Sequence, residues 1–107
     1  MKFDDYQKKA LTTALPSALN LPYVALGLTS EAGELAGKIK KWIRDNDSDP
    51  TKLDKEAIVH ELGDTLWYLA VMSELLGVSL DDVARQNADK LASRKKRSVI
   101  IGSGDTR

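Results

Sequence analysis

Residues 60–70, HELGDTLWYLA, belong to the most apolar helical segment of the chain and decide how the rest of it must fold. The predicted helix runs over residues 52–76 and carries apolar side chains on more than one side. These side chains are Ile58, Val59, Leu62, Leu66, Trp67, Leu69, Val71, Met72 and Leu75. A helix that is apolar on several sides must be covered by its neighbours, either at the centre of a bundle or in a subunit interface.

The flanking sequence predicts three further helices around this one. They are a short amphipathic helix over residues 3–14, a long helix over 20–44 and a last helix over 80–94. No segment shows a strand alternation long enough to compete with this interpretation. The predicted fold is therefore an all-α, four-helix bundle that forms one domain, residues 1–97, followed by a C-terminal tail, residues 98–107.

Local signals mark the ends of the predicted helices. Pro16 ends the first helix, because proline cannot continue it, and Pro22 suits the first turn of the second. Thr51 with Asp54, and Ser79 with Asp82, have the spacing of capping boxes for the third and fourth helices. Gly77 is a candidate C-cap for the third helix.

The long second helix contains three glycines, Gly27, Gly33 and Gly37. Glycine inside a helix costs roughly 0.5–1 kcal/mol relative to alanine. Three such positions suggest that a neighbouring helix approaches this backbone closely. The alternative is that the glycines merely weaken or bend the helix.

The composition excludes several classes of function. Sixteen basic residues balance sixteen acidic ones, so no overall field favours a nucleic acid or an anionic membrane as partner. There is no cysteine and only one histidine, which excludes thiolate sites and disfavours a histidine-rich metal site. No apolar run approaches the ~20 residues of a membrane span, and the N-terminus lacks the apolar stretch of a signal peptide. We expect a cytoplasmic protein.

Two acid pairs stand inside the most apolar helical segments. Glu31 and Glu34 are three residues apart in TSEAGELAGKIKKW, residues 29–42, and Glu61 and Asp64 are three apart in HELGDTLWYLA. Residues at this spacing share one face of a helix. Carboxylates that are desolvated there need a neutralising partner. Two facing helices would gather four carboxylates around a hard cation, and oxygen ligands suit Mg²⁺ or Mn²⁺.

Other interpretations of these acids stay open at this point. Lys38 follows Glu34 by four residues, so part of the motif is equally consistent with an ordinary surface ion pair. A di-iron site in a helical bundle requires Glu-x-x-His on two helices, and the single histidine, His60, directly precedes Glu61 instead. We interpret His60 as a structural residue rather than as a ligand.

The two acid pairs, taken together, carry a resemblance to a known family. EAGE at 31–34 is followed by ELGD at 61–64, by TLWYLA, and later by Asn87-x-x-Lys90-Leu91-x-x-Arg94. In this order and spacing the chain, from about Tyr23 to Arg94, resembles the MazG-like nucleoside triphosphate pyrophosphohydrolases of the all-α NTP pyrophosphatase superfamily. Either short motif alone would be weak evidence, and the combination is specific.

The resemblance implies an enzyme that uses Mg²⁺, or Mn²⁺ in its place, to cleave a nucleoside triphosphate between its α and β phosphates. Its products would be a nucleoside monophosphate and pyrophosphate, and its members are usually homodimers or homotetramers. On the family pattern the metal ligands would be Glu31, Glu34, Glu61 and Asp64. Glu34, or else Glu31, would position or deprotonate the attacking water. Asn87 and Lys90 match positions that contact the phosphates, and Tyr68 matches one on the substrate side.

Further residues suit the same chemistry on physical grounds. Pyrophosphate gains negative charge as it leaves, and the cationic groups available to compensate for this charge are Lys38, Lys41, Lys90 and Arg94. Tyr23, Trp42 and Trp67 are candidates for stacking on a base, although packing is the stronger interpretation for both tryptophans. The apolar Val99, Ile100 and Ile101 suggest that the tail docks on a neighbouring subunit, where its Gly-Ser-Gly segment would reach an active site. The alternative is a disordered terminus.

The sequence leaves three hypotheses about the function open. The first is a hydrolase that clears non-standard or surplus nucleoside triphosphates. The second is an enzyme with a narrower substrate, such as a dUTPase-like, dCTPase-like or alarmone hydrolase. The third is a non-catalytic helical interaction module, in which the acids form a solvated rim and the apolar helix binds a partner.

Overall fold

A computed structural model describes residues 1–107 and consists of four helices without strands. Helix α1 covers Phe3–Leu11, α2 covers Leu21–Asn46, α3 covers Lys55–Leu75 and α4 covers Leu80–Lys96. Short 3₁₀ turns occupy Pro16–Ala18 and Pro50–Lys52. The all-α, four-helix fold predicted from the sequence is confirmed. None of the helices combines the length and hydrophobicity that crossing a bilayer requires.

The helix ends follow local chemistry, and one predicted start is wrong. Asn20 caps α2 by accepting a hydrogen bond from the Tyr23 N–H, and Ser79 caps α4 by accepting one from the Asp82 N–H. Helix α3 does not begin at a capping box that Thr51 forms. Asp54 itself accepts the Ala57 N–H at 3.0 Å, because its own side chain lies within reach of the first turn.

Gly77 ends α3, as predicted for a C-cap glycine. Gly77 has a positive φ of 73°, which a residue with a side chain rarely adopts. Its N–H donates to the Glu74 carbonyl, and the Val78 N–H donates to the Ser73 carbonyl. This pair of bonds is a Schellman motif, which ends α3 at Leu75 and lets α4 begin at Leu80.

Helix α3 lies at the centre of the chain, in contact with α1, α2 and α4, whereas α2 packs chiefly on α3. The core where α1, α3 and α4 meet contains Ala10, Ala70 and Leu80. Gln7 ties this junction together, because its buried amide donates to the Val78 carbonyl and accepts the Leu80 N–H. A buried polar group satisfied in this way fixes the angle at which α4 leaves α3.

Close approach between α2 and α3 occurs at one of the three glycines. A Cβ atom on Gly27 would lie 2.1 Å from Cε1 of Tyr68, so the ring of Tyr68 packs where only glycine leaves room. Gly33 and Gly37 have no atom of another element within 4 Å of such a Cβ. Within the single chain, the expectation of close approach therefore holds at Gly27 and fails at Gly33 and Gly37.

The four helices form an open arrangement rather than a closed bundle. The radius of gyration is 16.8 Å, against about 13 Å for a compact domain of about 100 residues. The accessible surface is 7782 Å², whereas a compact monomer of this mass exposes about 5,900 Å². Leu62 and Leu69 of α3, predicted to be covered on all sides, are 52% and 39% exposed. The single chain thus leaves apolar faces of its central helices uncovered.

The tail folds back on the end of α4. Arg107 donates hydrogen bonds to the carbonyls of Val99, Ile100 and Gly104. Arg94 is 6% exposed, and its Nη2 donates to the Asp105 carbonyl at 2.9 Å. Ile101 remains 95% exposed. Docking of this tail on a second subunit stays a prediction.

Candidate metal centre

Helices α2 and α3 form an antiparallel hairpin that brings the two acid motifs face to face. Gly27 of α2 contacts Tyr68 of α3, and Lys38 contacts Glu61. Residue numbers that increase along α2 therefore pair with residue numbers that decrease along α3. Residues 31–34 consequently lie opposite residues 61–64. Each helix contributes its acids from one face, because a spacing of three residues is just under one turn.

Three of the four predicted ligands lie together. Glu31, Glu34 and Glu61 each offer a carboxylate oxygen, and these three oxygens lie within 4.8 Å of one another. We call them the acid triplet. Asp64 lies outside this triplet but next to it, since Asp64 and Glu31 line a recess of about 300 Å³ with Trp67 and Tyr68.

The acid triplet contains buried oxygens that lack a partner. Glu61 is 6% exposed, whereas Glu31 is half-buried and Glu34 is exposed. Oε2 of Glu31 and Oε2 of Glu61 are buried, and no N–H or hydroxyl group donates a hydrogen bond to either. Leaving a buried acceptor unsatisfied is costly, and a divalent cation bound by carboxylate oxygens removes this cost. The donor set is therefore the kind that Mg²⁺ or Mn²⁺ prefers.

The electrostatics of the triplet divide its carboxyls into two kinds. Burial raises the pKa of Glu31 to about 7, helped by a hydrogen bond with Glu61 and by the charges of Glu34 and Asp64. The pKa of Glu61 is lowered, chiefly because its carboxylate accepts a hydrogen bond from Lys38. Without a metal ion, the charged form of Glu61 is thus favoured, whereas Glu31 keeps its proton up to about pH 7.

The cation beside the triplet pairs with a different acid from the one that sequence spacing suggested. Lys38 Nζ lies 3.0 Å from Glu61 Oε1 on the opposite helix. The alternative of an ordinary surface pair within α2, between Lys38 and Glu34, is therefore wrong. Lys38 pairs with Glu61 rather than with Glu34 because the Glu61 carboxylate is buried and gains more from a counter-charge.

A sequence profile of the MazG nucleotide pyrophosphohydrolase domain matches residues 22–99. The chain belongs to this MazG family. It is 44% identical to the Gene 37 protein of Mycobacterium phage L5 over the full length of both chains. It is 30% identical to "Uncharacterized protein YvdC" of Bacillus subtilis (strain 168), over 68% of this chain and 74% of that protein. No solved structure matches the chain significantly.

Membership of the MazG family agrees with the residues that the hairpin does and does not gather. His60 is exposed and lies outside the acid triplet, so the Glu-x-x-His arrangement of a di-iron site is absent. Tyr68 lines the recess beside Glu31 and Asp64, on the side where the resemblance expects substrate. Burial raises the pKa of Tyr68, assisted by nearby acidic groups, so its phenol keeps its proton and can donate a hydrogen bond.

The residues expected on α4 lie apart from the acid triplet within the single chain. Asn87 and Lys90 are exposed, and neither lines the cavities beside the acids. Arg94 is held by the tail carbonyls, which gives its guanidinium a structural partner in place of a phosphate. Trp67 also has a structural role, because its Nε1–H donates to Thr13 Oγ1 and its ring packs against the core.

Sequence reasoning missed a second cavity, which adjoins the acid triplet through Lys38. This cavity measures about 380 Å³ and is lined by Lys38, Lys41, Trp42 and Lys52, among others. Lys52 comes from the 3₁₀ turn before α3, so nothing in the helical periodicity pointed to it. The Trp42 indole forms a wall of the cavity and donates to the Asp49 carbonyl at 2.8 Å.

The raised pKa of Glu31 predicts how the stability of the metal-free protein depends on pH. The folded protein keeps the Glu31 proton up to about pH 7, whereas an unperturbed glutamate loses it near 4.5. Its contribution to stability is therefore fully present below about pH 4.5 and is lost as the pH rises to about 7. The lowered pKa of Glu61 changes the stability of the protein only at more acid pH, outside the range in which Glu31 loses its proton.

Urea unfolding in EDTA between pH 5 and 8 measures this effect. The wild-type protein should lose stability relative to Glu31→Gln as the pH rises from 5 to 7. Asp89→Asn makes the same change of charge on exposed α4 and should keep the wild-type profile. Parallel profiles for the wild type and Glu31→Gln would contradict the assignment.

Proposed function

We propose that the protein is a Mg²⁺-dependent nucleoside triphosphate pyrophosphohydrolase. It cleaves the α–β phosphoanhydride of ribo- and deoxyribonucleoside triphosphates, releases a nucleoside monophosphate and pyrophosphate, and so clears surplus or non-standard nucleotides in the cytoplasm. The observation that carries this proposal is the acid triplet with its two unpartnered buried oxygens, in a chain of the MazG family. Mn²⁺ can take the place of Mg²⁺.

Glu31, Glu34 and Glu61 would hold the divalent ion, with Asp64 at its side. The bound ion supplies Lewis-acid chemistry, in that it lowers the pKa of water and offsets negative charge on phosphate oxygens. Glu34 is the most exposed member of the triplet, so we assign it the task of orienting the attacking water and accepting its proton. Glu31 would take this role if Glu34 serves only as a ligand.

The surroundings of the triplet suit a nucleotide with several negative charges. Tyr68 can donate a hydrogen bond from its phenol to a phosphate oxygen in the recess on one side. On the other side, Lys38 and Lys41 can compensate for the charge that develops on the leaving pyrophosphate. Tyr23 is 47% exposed and lies close enough to Tyr68 to contribute, after burial, to the raised pKa of Tyr68, which places Tyr23 near the same recess as a surface for a base.

We further propose that the active form is a homo-oligomer, a dimer or a tetramer. Two features support this. The outer face of α2 presents an apolar groove lined by Ala32, Leu35, Ala36, Ile39 and Ile43. Asn87 and Lys90, which the family pattern expects at the phosphates, line neither cavity beside the acid triplet of their own chain, so we propose that a second chain supplies them. The excess exposed surface of the single chain is what such an assembly would bury.

Metal-ligand variants test the proposed activity. Incubation with a panel of nucleoside triphosphates and Mg²⁺, followed by a pyrophosphate assay, should show release from at least one substrate. Glu34→Gln, Glu61→Gln and Asp64→Asn should each lower turnover by about 100-fold or more, because each weakens the hold on a catalytic ion. Glu56→Gln, an exposed acid in the first turn of the same helix α3, should leave turnover unchanged.

Circular dichroism of each variant separates lost chemistry from lost folding. If no triphosphate yields pyrophosphate with either Mg²⁺ or Mn²⁺, the enzyme proposal fails and the interaction module becomes the better interpretation. Release of a different product, or activity on one base or on an alarmone alone, would replace the broad substrate with a narrower one.

Sedimentation tests the assembly. The wild-type protein should sediment as a dimer or larger species at micromolar concentration. Ile43→Glu, which puts a charge into the apolar groove at a 53% exposed position, should shift it toward the monomer. Leu15→Glu makes the same kind of change at a 70% exposed position outside the groove and should not. A monomeric wild type would contradict the proposed oligomer.

A further inference from the structure

Lys38 stands between two regions of opposite character. On one side its ammonium contacts the acid triplet, 3.0 Å from Glu61 Oε1. On the other side it lines the 380 Å³ cavity with Lys41 and Lys52. A lysine has four methylene groups between backbone and charge, and 39% of the Lys38 side chain is exposed, so the ammonium can swing from one region to the other.

The pairing with Lys38 satisfies only one of the two oxygens of the Glu61 carboxylate. Oε1 has the lysine, whereas Oε2 of Glu61 and Oε2 of Glu31 are buried with no partner. A buried carboxylate left half satisfied is a poor resting arrangement for a single monovalent cation. A divalent ion bound by these oxygens would satisfy both unpartnered atoms and would repel the ammonium group.

The cavity on the far side carries positive charge that is not otherwise used. Lys41 and Lys52 form no salt bridge. Two carboxylates also line the cavity, and each has its main partner elsewhere: Asp45 pairs with Arg44, and Asp54 caps the N-terminus of α3. Lys41 and Lys38 lie close enough to add a smaller electrostatic interaction with Asp45 and Asp54, respectively. If Lys38 turns inward, three ammonium groups converge on a space that falls within the usual range of volumes for ligand pockets.

We propose that Lys38 exchanges partners during ligand binding: it neutralises Glu61 in the metal-free protein, and when a divalent ion takes that carboxylate, its ammonium turns into the cavity and binds a nucleotide phosphate together with Lys41 and Lys52. This inference rests on the metal centre of the proposed function and deepens it. It assigns the cavity to phosphate groups, and it makes the binding of the metal ion and of the phosphate mutually favourable through one side chain.

Three lysine-to-methionine variants separate the two halves of this exchange. Mn²⁺ binding without nucleotide is measured from the electron paramagnetic resonance signal of free Mn²⁺. Lys38→Met keeps the apolar stem but removes the competing charge, so its affinity for Mn²⁺ should rise by about three- to tenfold. Lys41→Met, in the same cavity but unpaired with Glu61, and Lys9→Met, at an exposed position of α1, should stay within about twofold of the wild type.

Binding of imidodiphosphate in the presence of Mg²⁺, measured by calorimetry, tests the second half. Lys38→Met and Lys41→Met should each weaken this binding by about tenfold, the loss expected for one charged hydrogen bond, and Lys9→Met should not. Lys38→Gln, which keeps a polar end, serves as a second variant if Lys38→Met does not fold.

The outcomes distinguish this inference from the proposed function. Equal or weaker Mn²⁺ binding by Lys38→Met, in a protein that still hydrolyses triphosphates, overturns the partner exchange and leaves the function standing. Unchanged imidodiphosphate binding by that variant overturns the assignment of the cavity to phosphate. No Mn²⁺ binding by the wild type overturns both proposals. The expected shifts in a protein that hydrolyses no triphosphate would support the exchange and remove the function.

Discussion

The burial of the Glu61 carboxylate among other acids is the constraint on which the site depends. Packing α3 against α2 places this side chain, 6% exposed, next to Glu31 and Glu34 in a setting where like charges repel and water is largely excluded. Such an arrangement is tolerable only if something neutralises it. In the structure the ammonium of Lys38 pairs with Glu61, and the raised pKa of Glu31 lets this carboxyl keep its proton up to about pH 7, yet no N–H or hydroxyl group contacts Oε2 of Glu31 or Oε2 of Glu61. A divalent ion would neutralise these carboxylates and coordinate their buried oxygens at the same time.

The packing of the hairpin also explains one of the three glycines that are costly inside α2. Gly27 lets Tyr68 lie against α2, which sets the spacing of the two helices beside the acids. The open arrangement of the four helices has a related consequence. The acid triplet lies within the α2–α3 hairpin, whereas α4, which carries Asn87 and Lys90, packs on α1 and α3. In the single chain Asn87 and Lys90 line neither of the two cavities beside the triplet.

Much of this arrangement could be predicted from the sequence, because it depends on local periodicity. The spacing of Glu31 with Glu34 and of Glu61 with Asp64 places each pair on one helix face, and a short connection makes the two helices antiparallel neighbours. The sequence could not show that Asp64 would lie outside the triplet, or that Lys38 would choose Glu61 over Glu34. Those outcomes depend on how the helices are rotated about their axes, which side-chain packing sets. Arg94 illustrates the same limit, since its partners are carbonyls of a tail without regular structure.

The most direct measurement is the anomalous diffraction of crystals grown with Mn²⁺, with data collected near the manganese absorption edge. We expect an anomalous peak in contact with carboxylate oxygens of Glu31, Glu34 and Glu61, with Lys38 turned away from Glu61. An acid triplet that holds no manganese at millimolar concentration, with the Lys38–Glu61 pair intact, would show that these carboxylates do not form a metal site.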